Sequence, residues 1–133
     1  MVEVELSKII IDEKKQEQMI VLKEKSGSRA LPIIIGTNEA LAIRMHLGGF
    51  TPPRPLTHDL LKAVIKDLEA EVEKIIINKI LNGTFYALLI LRSKDGRIIE
   101  VDARPSDSIA LAVRTKSPIY VEEEVLNHAA VSY

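Results

Sequence analysis

Acidic and basic side chains cluster between positions 100 and 107, directly before an apolar run. Alternate residues of a strand share one face, so Glu100 and Asp102 would lie together, with Asp107 beyond the strand end. Mg²⁺ and Mn²⁺ prefer oxygen ligands, and an arginine such as Arg104 can hold a phosphate group. The pattern therefore predicts a metal-assisted phosphate site with Asp102 and Asp107 as the metal ligands.

The same charged residues also have a structural interpretation. Asp107 would favour the amino terminus of the following helix electrostatically, and Arg104 would pair with a nearby carboxylate. The spacing of the residues alone leaves both interpretations open.

His58 and Asp59 form a second candidate pair, in the first turn of a helix that we expect Thr57 to cap. A histidine beside an aspartate can transfer protons or bind a metal. Adjacent helical positions do not face each other, so the two side chains need not act on one atom. An exposed capping turn is the structural alternative, and we expect His46 and His128 to be surface or packing residues.

The helix that positions the charged cluster begins at Pro105, which is tolerated in a first turn, and residues 106–108 (SDS) offer oxygens to its unpaired amides. Residues 109–113 carry no charge, so most of the helix circumference should be buried. Phosphates bind at helix starts of this kind. Arg114 closes the helix, where a cation complements the dipole.

An internal repeat places this helix in a larger pattern. Residues 40–44 (ALAIR) recur as residues 110–114 (ALAVR), and residues 2–3 (VE) recur as 72–73. We interpret this as a duplication of β-β-β-α units over about residues 1–50 and 71–121. The first-half turn that corresponds to the charged cluster has one acid, Glu39, and no arginine, which favours a functional role for the second-half charges. A difference in exposure would explain the contrast equally well.

Turn signals and apolar periodicity divide the chain into strands and helices. Asn-Gly at 82–83 and Asp-Gly at 95–96 predict type I′ hairpin turns with positive φ at both central residues. We predict an α+β fold in which duplicated β-β-β-α units form an antiparallel sheet or barrel-like core covered by helices. The predicted strands are 2–11, 19–24, 30–35, 72–81, 84–92, 97–102 and 119–121, and the predicted helices are 37–47, 57 to about 71, 105–114 and 122–128.

Composition limits the classes of function. A length of 133 residues with 47% hydrophobic residues predicts one domain, residues 1–133, in which a proline-rich connector and a helix at 51–70 join the halves. The absence of cysteine excludes disulfides and thiolate metal sites. We expect no organic cofactor because the nucleotide-loop and nucleophile-elbow motifs are missing.

Charge and hydropathy predict the partners. A net charge of −1 and 4% aromatic residues argue against an extensive nucleic-acid surface, so nucleic acid would be contacted only locally. The apolar runs are too short to span a bilayer, and we expect a cytoplasmic protein with no membrane partner. Sheet edges in a small fold predict a homo-oligomer, for which we expect a dimer.

Three segments of the chain resemble motifs of the bifunctional nuclease domain family: residues 31–36 (LPIIIG), 54–60 (RPLTHDL) and 102–112 (DARPSDSIALA). The resemblance covers nearly the whole chain and implies a nuclease domain for DNA, RNA or both, since plant relatives act on both. For such a reaction, His58 or Asp59 would assist proton transfer to or from the phosphodiester held at the charged cluster. The alternatives are a non-catalytic module that binds an anionic ligand or a protein partner, and a regulatory small-ligand domain.

Overall fold

The computed structural model describes residues 1–12, 14 and 17–133. Strands and helices alternate in an order that repeats β-β-β-α. The strands are β1 (Val2–Asp12), β2 (Glu17–Glu24), β3 (Arg29–Ile35), β4 (Ala70–Leu81), β5 (Thr84–Ser93), β6 (Ile98–Ala103), β7 (Ile119–Val121) and β8 (Val131–Ser132). The helices are α1 (Thr37–Leu47), α2 (Thr57–Asp67), α3 (Pro105–Thr115) and α4 (Glu123–Ala129).

The eight strands of the described residues join one sheet in the order β6-β5-β4-β7-β1-β2-β3-β8. Neighbouring strands are antiparallel except β4 and β7, which are parallel. The α+β class is therefore confirmed. In the described part of the chain β6 and β8 form the two edges, so the sheet is not closed into a barrel. Strand β7 joins the two three-stranded meanders, and a common origin of the two halves stays an interpretation.

The two predicted hairpin turns differ. Asn82 and Gly83 have φ of 51° and 77°, which confirms the type I′ pattern between β4 and β5. In the turn after β5 only Gly96 has a positive φ, at 86°. The amide of Ser93 donates to the carbonyl of Arg97 at 2.9 Å, which encloses a three-residue loop. The type I′ prediction was wrong there because only the last residue of such a loop needs a positive φ.

Helix α2 ends earlier than predicted and buries less of its apolar stripe. It ends at Asp67 rather than near residue 71. Glu69 follows with a φ of 61°, and this left-handed residue turns the chain into β4. The stripe stays exposed at Leu60, Leu61, Val64 and Leu68.

Helix α3 lies at the centre of the core. Ile109 and Leu111 are fully buried in one cluster with Ile75 and Ile77 of β4 and Leu89 of β5. Burying each such side chain stabilises the fold by about 1.5–3 kcal/mol. Helices α1 and α2 both pack against α3. The predicted burial of the uncharged helix is confirmed, and its amino terminus lies where three helices meet.

Among the helices of the described residues, none combines the length and the apolar character that crossing a bilayer requires.

Candidate functional site

A cleft of about 430 Å³ opens where the amino-terminal ends of α1, α2 and α3 come together. Each helix amino terminus carries a partial positive charge from its unpaired amides. Three such ends around one cleft favour negative charge, and the carboxylates of Glu39 and Asp107 supply it there. The polar lining consists of Asn38 and Glu39 from α1, Thr57 and His58 from α2, Asp107 from α3, and Arg104 directly before α3.

Asp107 is the central side chain of the cleft. Its Oδ1 lies 2.9 Å from Nε2 of His58, and its Oδ2 lies 3.0 Å from Nε and 2.9 Å from Nη2 of Arg104. An ionised carboxylate only accepts hydrogen bonds, so both partners donate. Nη1 of Arg104 also lies 3.7 Å from Oε1 of Glu39. The half-buried Asp107 therefore links α2 to the start of α3 and holds Arg104 at the cleft.

His58 is buried beneath this cluster, with 7% of the residue exposed. Its Nδ1 is buried and has no hydrogen-bond partner in the described residues. With Nε2–H donating to Asp107, a neutral ring leaves only an acceptor unpaired at Nδ1. The interpretation of an exposed capping turn at His58 is therefore wrong. His58 lines the cleft and contacts Asp107 there.

Asp59 faces another partner. Its Oδ2 accepts the amide of Leu56 at 3.0 Å, and its Oδ1 accepts Nε of Arg114 at 2.7 Å. Partial burial favours a higher pKa for Asp59, but these two hydrogen bonds outweigh it, so its pKa lies below the ordinary value. Leu56 is the amino-terminal cap of α2, so the prediction that Thr57 caps this helix was wrong.

Arg114 is an internal anchor and is only 5% exposed. Besides Asp59, its guanidinium donates to the carbonyls of Ala110 at 2.9 Å and Ala42 at 3.1 Å. One side chain thereby joins α1, α2 and α3 behind the cleft. Asp59 therefore bonds to Arg114, whereas its neighbour in sequence, His58, bonds to Asp107.

Asp102 lies apart from the cleft. It pairs with Leu88 across β5 and β6, while the next residue, Ala103, pairs with the buried Ala87 and packs against the core. Strand alternation therefore directs Asp102 to the sheet face opposite the helices. The structure brings together Asp107, Arg104 and His58 and does not bring Asp102 to them.

The cleft residues do not fit the predicted metal site. Among residues 1–12, 14 and 17–133, no group of three or more histidines and carboxylates could hold a metal ion. Both oxygens of Asp107 already accept N–H groups, and those donors are a histidine and a cation. A metal requirement stays a prediction that only an assay can test.

The start of α3 differs in detail from the prediction. Pro105 is the first helical residue, as expected, and Arg104 is the cap without a side-chain hydrogen bond to the helix amides. The hydroxyl of Ser108 instead donates to the carbonyl of Arg104 at 3.0 Å. The predicted side-chain oxygens of residues 106–108 do not cap this helix because Asp107 and Ser108 bond elsewhere.

Sequence reasoning missed two residues that shape the site. Glu39 contributes a carboxylate from the first half, although it stood out only as the lone acid of its turn. The repeat held a signal for it, because packing α1 beside α3 brings their starting turns together. Arg114 was predicted only to complement the helix dipole, and nothing in its spacing indicated its burial or its contact with Asp59.

Comparison with protein families and known proteins gives matches over most of the chain. The model of the bifunctional nuclease domain matches residues 20–133. A Mycobacterium tuberculosis protein described as uncharacterized is 44% identical over 129 residues, covering 97% of this chain and 76% of that protein.

Plant proteins named as nucleases also match. Bifunctional nuclease 1 of Arabidopsis thaliana is 32% identical over 108 residues, covering 78% of this chain and 33% of that protein. Bifunctional nuclease 2 of Oryza sativa subsp. japonica is 31% identical over 118 residues, covering 86% of this chain and 36% of that protein. This chain thus spans about a third of the length of these plant relatives.

Proposed function

This chain belongs to the bifunctional nuclease domain family, and we propose that its three-helix cleft binds and hydrolyses phosphodiester bonds of nucleic acid. The observation that carries the proposal is Asp107, held by His58 on one oxygen and by Arg104 on the other where three helix starts converge. The names of the plant relatives support nuclease chemistry at the level of the family.

Arg104 is the phosphate ligand in this proposal. Its side chain is 69% exposed, so its outward N–H groups can reach a phosphate from solvent. A guanidinium matches phosphate oxygens through paired hydrogen bonds. Asp107 and Glu39 fix the guanidinium before substrate arrives, and such preorganised charge lowers the barrier of a reaction that builds negative charge.

Asp107 accepts the proton of the attacking water. The water oxygen forms a bond to phosphorus, the ester bond to the leaving oxygen breaks, and solvent supplies a proton to that oxygen. His58 is a positioning residue, because its Nε2–H fixes the Asp107 carboxylate while its own Nδ1 is buried. This assignment uses residues of the cleft and gives no role to Asp102 or Asp59.

Cleavage of labelled single- and double-stranded DNA and RNA tests the proposal, with Mg²⁺, Mn²⁺ or a chelator present. We expect Asp107→Asn to reduce kcat/KM by about 100-fold or more, the range for a lost general base. Asp102→Asn is the matched control and should leave the rate unchanged. Wild-type rates in a folded Asp107→Asn variant would overturn the proposal, and equal losses in both variants would restore the two-aspartate metal site.

His58 needs a separate test of positioning. His58→Ala should lower kcat by up to about 100-fold with little change in KM, because misplacing a catalytic group by about 1 Å has an effect of that size. His58→Gln retains a side-chain N–H donor and should recover part of the loss. A loss of folded protein without a change in the kcat of the folded fraction would mean that His58 has only a packing role.

The second candidate function is anion binding without hydrolysis. Both oxygens of Asp107 are already paired, and this favours a module in which Arg104 only recognises phosphate. Oligonucleotide binding that Arg104→Ala abolishes, combined with no cleavage under any metal condition, would support this candidate and exclude the catalytic one.

A further inference from the structure

Arg104 stands between two clefts. On one side it faces the three-helix cleft with Asp107, and on the other it lines a groove of about 440 Å³. The groove runs between the end of β3, the β4–β5 turn and the first turn of α3. Its lining is formed by residues 32–36, 83–85 and 104–106.

The walls of this groove are mainly apolar. Ile34 is 60% exposed although it belongs to a strand, the half-buried Pro32 and Phe85 provide further apolar surface, and the buried Pro105 lies at the base of the groove. The side of the groove at Gly83 is open, because a Cβ placed there would have no heavy atom within 4 Å. An accessible apolar wall beside a cation suits a ligand that has both a flat apolar part and an anionic part.

Ser106 adds a polar group to the groove. The residue is only 5% exposed and lines the groove from the first turn of α3. Backbone amides in this turn lack helical partners. A serine hydroxyl can both donate and accept a hydrogen bond, so Ser106 can contact a polar group of a ligand in the groove.

We propose that the groove binds the base and sugar of the nucleotide whose phosphate contacts Arg104. The base would lie against Ile34 and Phe85, and the Ser106 hydroxyl would hydrogen-bond a polar edge of the nucleoside. A volume of about 440 Å³ is within the usual range of small-ligand sites. This inference rests on the proposed phosphate role of Arg104 and adds a nucleoside subsite next to it.

A binding experiment separates this subsite from catalysis. Protein labelled at isoleucine methyl groups and at arginine Nε is titrated with adenosine 5′-monophosphate or with ribose 5-phosphate, and NMR shifts are recorded. We expect the adenosine monophosphate to shift both the Ile34 methyl and the Arg104 Nε–H signals. Ribose 5-phosphate should shift Arg104 alone.

Two variants sharpen the test. Ile34→Ser should weaken binding of adenosine monophosphate by about 10-fold, as expected for a lost apolar contact, and leave ribose 5-phosphate unaffected. Ile10→Ser removes an exposed isoleucine outside the groove and is the matched control. Both positions are exposed, so neither variant should impair folding.

The outcomes distinguish failure of the subsite from failure of the proposed function. Equal responses to the two ligands, confined to Arg104, would overturn the subsite and leave the phosphate role intact. An unmoved Arg104 signal with both ligands would overturn the subsite and the phosphate role together. Nucleotide binding in the groove by a protein that cleaves no nucleic acid would support the subsite and contradict hydrolysis.

Discussion

Helices α1 and α3 carry nearly the same five residues, ALAIR and ALAVR, in very different surroundings. Leu41 of α1 is exposed, whereas the matching Leu111 of α3 is fully buried. Arg44 is exposed, whereas Arg114 is buried and donates hydrogen bonds to Asp59 and to two backbone carbonyls. The burial of the matching residues differs because α3 packs against both α1 and α2. A local motif predicts the helix, and the neighbours of that helix decide the role of each side chain.

The starting turns of the two helices complement each other. Gly36 precedes α1 and Arg104 precedes α3, and both helices carry an acid in the first turn, Glu39 and Asp107. Both carboxylates approach the Arg104 guanidinium. The two halves differ in the charged residues of these turns, but this does not make one half structural and the other functional. Residues of both halves line the same cleft.

The largest expected difference between the helices concerns their terminal arginines. Arg114→Ala should lower the free energy of unfolding by about 4 kcal/mol, because it leaves the Asp59 carboxylate and two carbonyls without their partner. Arg44→Ala should change it by less than about 0.5 kcal/mol, as is usual at exposed positions. Urea unfolding measures both, and similar small values would show that Arg114 is not an anchor.

The losses of unfolding free energy should differ slightly less between alanine variants of the matched leucines, Leu111 and Leu41, than between those of the arginines. Leu111→Ala creates a cavity in the core and should cost about 3 kcal/mol of unfolding free energy. Leu41→Ala removes an exposed side chain and should cost less than about 1 kcal/mol. Equal losses in urea unfolding would mean that α1 is covered in solution, for example by a second copy of the chain.

Much of this fold could be predicted because its signals are local. The bounds of α1 and β7 agree with the prediction, and Asn82-Gly83 forms the expected turn. Strand β8 was missed because two residues contain no recognisable periodicity. The parallel pairing of β4 with β7 depends on contacts between distant segments, which no local pattern reports.

The candidate site was harder to predict than the elements. As adjacent helical positions, His58 and Asp59 were not required to act on one atom, and they contact different partners, Asp107 and Arg114. The pairing of His58 with Asp107 spans 49 positions and depends on how α2 packs beside α3. Asp102 and Asp107 are close in sequence, yet a strand face and a helix start direct them apart. Closeness in sequence therefore did not predict closeness in space at the point where the chain changes from strand to helix.

The smallest expected effect is the pH dependence of the contact between Asp59 and the Arg114 anchor of α3. The pKa of Asp59 is lowered in the folded protein, so its contribution to stability is present above its unfolded pKa of about 3.9 and is lost as the pH falls through the folded value. The difference in unfolding free energy between wild type and Asp59→Asn should therefore be constant near pH 7 and shrink below about pH 4. Urea unfolding at a series of pH values measures this difference, and Asp67→Asn at the exposed end of α2 is the control. A difference that persists unchanged at pH 3 would mean that the Asp59 charge does not hold Arg114. The greater contribution of Arg114 to stability, compared with Arg44, would then come from its hydrogen bonds alone.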